Sequence, residues 1–202
     1  MFRAWIVFLG MGMLIGLVGC DSEPSSENVS EILKENARKK AEYLEKGNQI
    51  AKASFEALSG KLKNTIATDG IEGAIRTCNI HASPLVDSLS NEYGATIKRT
   101  SLKIRNEVNS PSPDEKHILK LYSRAKDANE TLMPIVLLDS NWVSFYSPIL
   151  VKPICLNCHG EPNQDLDIST IDLLRSMYPT DRAYGYKEDE LRGIWSIKFE
   201  SD

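Results

Sequence analysis

Residues Cys155-Leu156-Asn157-Cys158-His159-Gly160 constrain this chain more than any other stretch. Two thiols at i and i+3 fall on one turn of a helix, and the next residue is an imidazole. That C-x-x-C-H spacing is the attachment pattern of c-type haem. Each thiol can add to one vinyl group of the same porphyrin, and the imidazole then serves as the proximal iron ligand. With 4 Cys and 3 His in 202 residues, chance gives about one such match per thousand chains, so the pattern calls for a chemical reason. The competing readings are a C-x-x-C disulfide or thioredoxin-like redox pair, and half of a zinc site. Zinc would want further Cys or His at similar spacing, and the chain has no second C-x-x-C. The expectation is one covalent haem c on Cys155 and Cys158, with His159 as proximal axial ligand.

The first twenty residues point to the compartment. Met1-Phe2-Arg3 is a short positive start, and Ala4 to Gly19 carries no charge before Leu17-Val18-Gly19-Cys20. This is the layout of a secretory signal. It resembles the lipobox of bacterial lipoprotein precursors, with residues 1–19 removed and Cys20 lipidated. Two or more acyl chains anchor a protein stably, whereas one does so marginally. An uncleaved transmembrane anchor is the alternative, but sixteen apolar residues are short for a span. Either way the body of the protein is expected on the periplasmic side of a bacterial membrane, where haem c is attached. Asp21 resembles the signal by which many enteric-type lipoproteins stay in the inner membrane. Without residues 1–19 the chain holds 23 basic and 28 acidic residues. That balance argues against nucleic acid as a partner. With Cys20, Cys155 and Cys158 accounted for, Cys78 is an odd thiol that needs explaining.

Residues 20–28 read as a polar lipidated tether, and residues 29–202 as one domain. A helical stripe begins near Val29, with apolar positions at Ile32, Leu33, Ala37, Ala41, Leu44, Ala51, Phe55, Leu58, Leu62 and Ile66. Gly47 interrupts it as a candidate bend. The stripe is expected to cover the domain's own sheet, and its first half is a candidate for pairing with a second copy in a homodimer. Asp69-Gly70 punctuates. A second helix follows over Ile71 to Ala82 with Cys78 on its apolar face, and another turn of helix runs from Pro84 through Leu89. Residues 95–101 have strand character, and Asp114 is a candidate cap for a helix to Ala128 whose apolar side holds Ile118, Leu119, Leu121 and Tyr122. Leu132 to Leu138 and Trp142 to Tyr146 flank Asp139-Ser140-Asn141, a hairpin pattern. A short helix over Ser169 to Tyr178 and a strand over Gly193 to Phe199 close the chain. Helices first and hairpin-linked strands later give an α+β class with an antiparallel sheet.

Three pieces together resemble a known family. They are Tyr146-Ser-Pro-Ile-Leu-Val-Lys152-Pro153 leading into Cys155 to Gly160, then Tyr178-Pro179-Thr-Asp181-Arg-Ala-Tyr-Gly185-Tyr186, and finally Leu191-Arg192-Gly193-Ile-Trp195-Ser196. They are similar to the exported haem c-binding proteins with a PAS-like fold, which occur alone or as sensor modules. The resemblance runs over roughly residues 49–199. It implies a PAS-like antiparallel sheet with a long N-terminal helix and flanking helices. It also implies a cysteine from an upstream helix on the iron opposite His159, and the matching position is Cys78. His81 is the alternative distal ligand, and a simple buried thiol is the other reading of Cys78. Tyr146, Lys152 and Arg192 are candidates for the haem pocket, against plain surface pairing. His117 reads as solvated. Met133 and Met177 read as core, with Met177 able to serve in a conventional His/Met site.

A haem held by His159 and Cys78 would have no open position, and thiolate would favour the ferric state. That suits redox or small-gas sensing through ligand exchange, signalled to a protein partner. A low-potential electron-transfer cytochrome is the alternative. A peroxidase-type enzyme would need an open distal site with an acid-base residue beside it; no such constellation is visible, so no enzymatic activity is expected.

Overall fold

The computed structural model describes residues 26–201. Residues 1–19, Cys20 and Asp21, with the expectations placed on them, lie outside the described residues. Helix α1 (Ser26–Tyr93) is followed by β1 (Thr96–Thr100), a short 3-10 turn (Glu107–Asn109), α2 (Pro113–Asp127), the hairpin β2 (Ile135–Leu138) and β3 (Trp142–Leu150), then α3 (Pro153–His159), α4 (Ile168–Met177) and β4 (Leu191–Glu200). The four strands form one antiparallel sheet in the order β1-β4-β3-β2. The expected α+β class with a long N-terminal helix is what the chain forms. Helix starts at Ser26, inside the stretch read as tether.

Helix α1 breaks at Gly70, whose φ of 71° and ψ of −172° are open only to glycine. The two expected helices therefore meet there, and the second runs on through Pro84 to Tyr93. Gly47 does not bend the helix. A Cβ at that position would run into the Phe145 ring, so this glycine lets α1 lie against the sheet. The buried side of α1 is Tyr43, Gly47, Ile50, Ala51 and Ser54, set about one position away from the predicted stripe. Leu44 and Phe55 are exposed instead, and Val29, Ile32 and Leu33 lie in the exposed stretch of helix ahead of Tyr43.

Alternation along the strands assigns the two faces of the sheet. Ile97, Val143, Phe145, Trp195, Ile197 and Phe199 meet Tyr43 and Ile50 of α1 in the main core, where Tyr43 and Phe199 pack edge to face at 4.9 Å. On the opposite face Tyr146 and Ile194 meet Ile118, Leu119 and Tyr122 of α2. Helix α2 is capped by Ser112 in a capping box with Glu115, two residues earlier than the expected Asp114. Leu121 is partly exposed and Glu115 is buried in its place. Pro148 lies in β3 beyond the end of β2, where its missing N–H leaves no partner unsatisfied. A third cluster joins Ile75 of α1 to Leu173 and Leu174 of α4 and to Tyr178. The forty-residue excursion between β3 and β4 carries α3 and α4 to the segment of α1 beyond Gly70, and this builds the site.

Candidate functional site

Helix α3 is short, with Pro153 at its first turn. Cys155 and Cys158 stand one turn apart on it, both half-buried and unpaired. Cys155 Sγ accepts the Lys152 amide at 3.3 Å, and Cys158 packs against the Ile75–Leu174–Tyr178 cluster. His159 ends the helix. Its Nδ1 lies 2.6 Å from the carbonyl oxygen of Ala183. A carbonyl can only accept, so Nδ1 carries the proton and Nε2 keeps its lone pair. Burial, then the positive field of Arg192 and Arg105, holds the imidazole pKa well below its usual value, and the ring is neutral. A neutral imidazole with its tautomer fixed by a backbone carbonyl is the form that binds metals.

Cys78 reaches the same place from α1. Its thiol is half-buried and close enough to Cys158, Arg99, Arg105 and Tyr178 for each to feel its charge. Burial pushes its pKa up, against the pull of Arg99 and Arg105. The positive field of Arg99 and Arg105 also reaches His159, so the motif histidine and the odd cysteine share two cationic neighbours. His81 lies in α1 three positions later, and its side chain is outside the described residues.

Around these groups stand four cations and one paired carboxylate. Arg105 binds Asp181 at 2.9 Å. Arg99 lies over the Trp195 ring at 5.8 Å. Arg192 and Lys103 both lie over the Tyr186 ring, at 5.3 and 4.6 Å. Among the described residues, no carboxylate stands within ion-pair distance of Arg99 or Arg192, and burial lowers the pKa of both. In a chain of net charge −4, this local surplus of positive charge is an arrangement for anions. Haem, with two carboxylates and an iron that takes imidazole and thiolate, fits the donor set.

Of the other sequence candidates, Arg192 belongs to the site. Lys152 sits at the surface, 3.5 Å from Asp189. Tyr146 lies under α2 on the sheet face opposite Arg99 and His159, where Tyr122 donates to its carbonyl. The structure does not bring Tyr146 to the site. His117 is exposed as read, Met133 is exposed rather than core, and Met177 packs beside the α4 cluster. Sequence reasoning missed Arg99, Arg105 and the Ala183 carbonyl. The quoted segment from Tyr178 to Tyr186 held the only signal, since it supplies Asp181, Ala183 and Tyr186 at once.

The model of the Tll0287-like family matches residues 26–199 of the chain. Among solved structures, one titled as the crystal structure of the cyanobacterial heme-protein Tll0287 superposes with a TM-score of 0.57 at 16% identity, over 89% of this chain and 98% of that one. At that identity the likeness speaks to the fold. No curated protein matches the chain.

Proposed function

We propose that this chain, which belongs to the Tll0287-like family, is a mono-haem c-type protein, lipid-anchored through Cys20 on the periplasmic side of the membrane. In this reading it senses redox state or a small gas. The observation that carries the reading is the pinned imidazole: His159 donates from Nδ1 to Ala183, beside two thiols on the same helical turn. The solved relative's title names a heme-protein, which supports the same cofactor here.

Each group then has a task. Cys155 and Cys158 would form the thioether links. His159 Nε2 and the Cys78 sulfur would hold the iron. Arg99 and Arg192 would pair with the macrocycle's carboxylates. When bound, haem supplies a one-electron couple and, where an axial position opens, a place for a diatomic ligand. Cys78 would be the group able to leave, because burial favours its neutral thiol once free of a metal, whereas the neutral His159 is held by the Ala183 carbonyl. A protein partner would read that exchange.

The test is protein from a maturation-competent host, washed with acid acetone. The pyridine haemochrome band and the added macrocycle mass should survive washing, and low-spin thiolate EPR features should vanish in Cys78→Ala. Absence of the band overturns the haem assignment. Thiolate features that persist without Cys78 move the distal ligand elsewhere. Carbon monoxide binding by the reduced protein supports exchange-based sensing, whereas an inert centre with fast self-exchange selects the electron-carrier reading.

A further inference from the structure

The structure assigns to Arg105 a role that rests on this haem reading: it is the positioning residue that sets how strongly His159 can donate to a metal. Arg105 lies in the loop after β1, far in sequence from α3, and is largely buried beside Asp181. Its Nε donates to Asp181 Oδ2 at 2.9 Å, and its Nη2 donates to the carbonyl of Cys158 at 2.5 Å and of Ala183 at 3.3 Å. The Cys158 carbonyl is one of the last-turn acceptors of α3 that the helix itself cannot satisfy. The Ala183 carbonyl is the one that His159 Nδ1 engages at 2.6 Å. Asp181 completes the ring, its Oδ1 accepting the Ala183 amide at 2.7 Å.

One guanidinium therefore ties the residue before the ligand to the acceptor of the ligand's own proton. Two consequences follow. The imidazole plane is held between two fixed points, α3 and the Asp181–Ala183 turn, and not by the helix alone. The Ala183 oxygen also divides its electron density between two donors, so it pulls less on the His159 proton. A carbonyl relieved of Arg105 would accept more strongly, give the ring more imidazolate character and favour the oxidised metal. Asp181 offsets part of the Arg105 charge, and a charge-conserving replacement isolates the share carried by the hydrogen bond.

Arg105→Lys keeps the charge and loses the fork. In haem-loaded protein held at a fixed solution potential, the oxidised-to-reduced ratio should rise about tenfold, equivalent to about 59 mV in a one-electron couple. The double variant Arg105→Gln/Asp181→Asn, which removes the charge pair together, should move the ratio the same way. Unchanged ratios in both variants overturn the assignment. A second readout needs no haem. In the full-length Cys155→Ser/Cys158→Ser chain, 15N shifts of His159 should report a single Nδ1–H tautomer, and adding Arg105→Gln/Asp181→Asn should keep that tautomer and move the Nδ1 resonance towards the imidazolate range, as a stronger hydrogen bond to Ala183 requires. An unmoved Nδ1 resonance also overturns the proposal. Failure of the haem reading itself would show separately, as a wild-type protein with no haemochrome band, and would leave the 15N measurement standing.

Discussion

Lys98 and Arg99 are neighbours on β1 and face opposite sides of one sheet. On the α2 side, Lys98 Nζ lies 2.8 Å from Glu115 and 2.7 Å from the Ser110 carbonyl. Glu115, only 4% exposed, also accepts the Ser112 amide at 2.8 Å in the cap of α2. Both charges of that pair are answered from within the chain. On the α1 side, Arg99 has an aromatic ring and the charge of Arg192 for company, and among the described residues no carboxylate within ion-pair distance. A fold that can close a buried charge so completely on one face leaves its neighbour open on the other. A half-buried charge without an anion beside it keeps part of its desolvation cost, which agrees with the proposal that this face takes the haem carboxylates.

The largest expected effect separates the two faces outright. Cys155→Ser/Cys158→Ser should abolish the haemochrome band completely. Amide exchange should then quicken in α3 and in the Tyr178–Tyr186 segment, and stay unchanged around Ser112 and Glu115. Equal loosening on both faces would break the comparison, because it would make the haem a support of the whole domain and not of its open side.

Next in size is the closed face. Glu115→Gln leaves Lys98 without its anion and weakens the cap, which should cost about 2–3 kcal/mol at neutral pH, measured as a lower urea midpoint with unchanged slope. The pH dependence has a definite sign. Burial alone would raise the Glu115 pKa, but hydrogen bonds from Lys98, the Ser112 amide and Ser196 together outweigh it, and the pKa ends below its ordinary 4.5. The native state thus holds its proton less readily than the unfolded chain. The stabilisation is fully present above the ordinary value and is lost as pH falls through the acid range. Glu115→Gln should flatten that acid limb; an equally steep loss in the variant assigns it to other carboxylates.

What the sequence showed and what it hid follow the same physical line. The hairpin and the closing strand were legible because period-2 patterning and Asp139-Ser140-Asn141 are local signals, and the proposed haem motif rests on a signal just as local, C-x-x-C-H. The phase of α1 was not. Leu44 and Phe55 are as apolar as Tyr43 and Ile50, and the choice between them turns on Gly47, where a missing Cβ admits the Phe145 ring. Nothing in the sequence marks Arg99 and Arg105, since only the pairing of Arg99 with Trp195 and the folding back of residues 178–186 bring them to the site. Tyr146 misled through its nearness in sequence to the motif, while strand alternation placed it on the other face. The Ala183 carbonyl is backbone, and no residue type announces it.

The smallest expected effect is the sharpest for the comparison. Arg99→Gln/Arg192→Gln removes two charges that, among the described residues, have no carboxylate within ion-pair distance. In the haem-free chain the stability should change by less than about 1 kcal/mol, or rise, because no pair is broken and a desolvation cost is removed. In the haem-loaded protein the same variant should lose part of the increase in melting temperature that loading confers, since two partners of the cofactor's carboxylates are gone. The contrast lies in the opposite behaviour of one double variant in two states of one protein. If Arg99→Gln/Arg192→Gln instead weakens the haem-free chain as much as Glu115→Gln does, then those arginines hold the fold together on their own account, and the two faces of the sheet differ in appearance only.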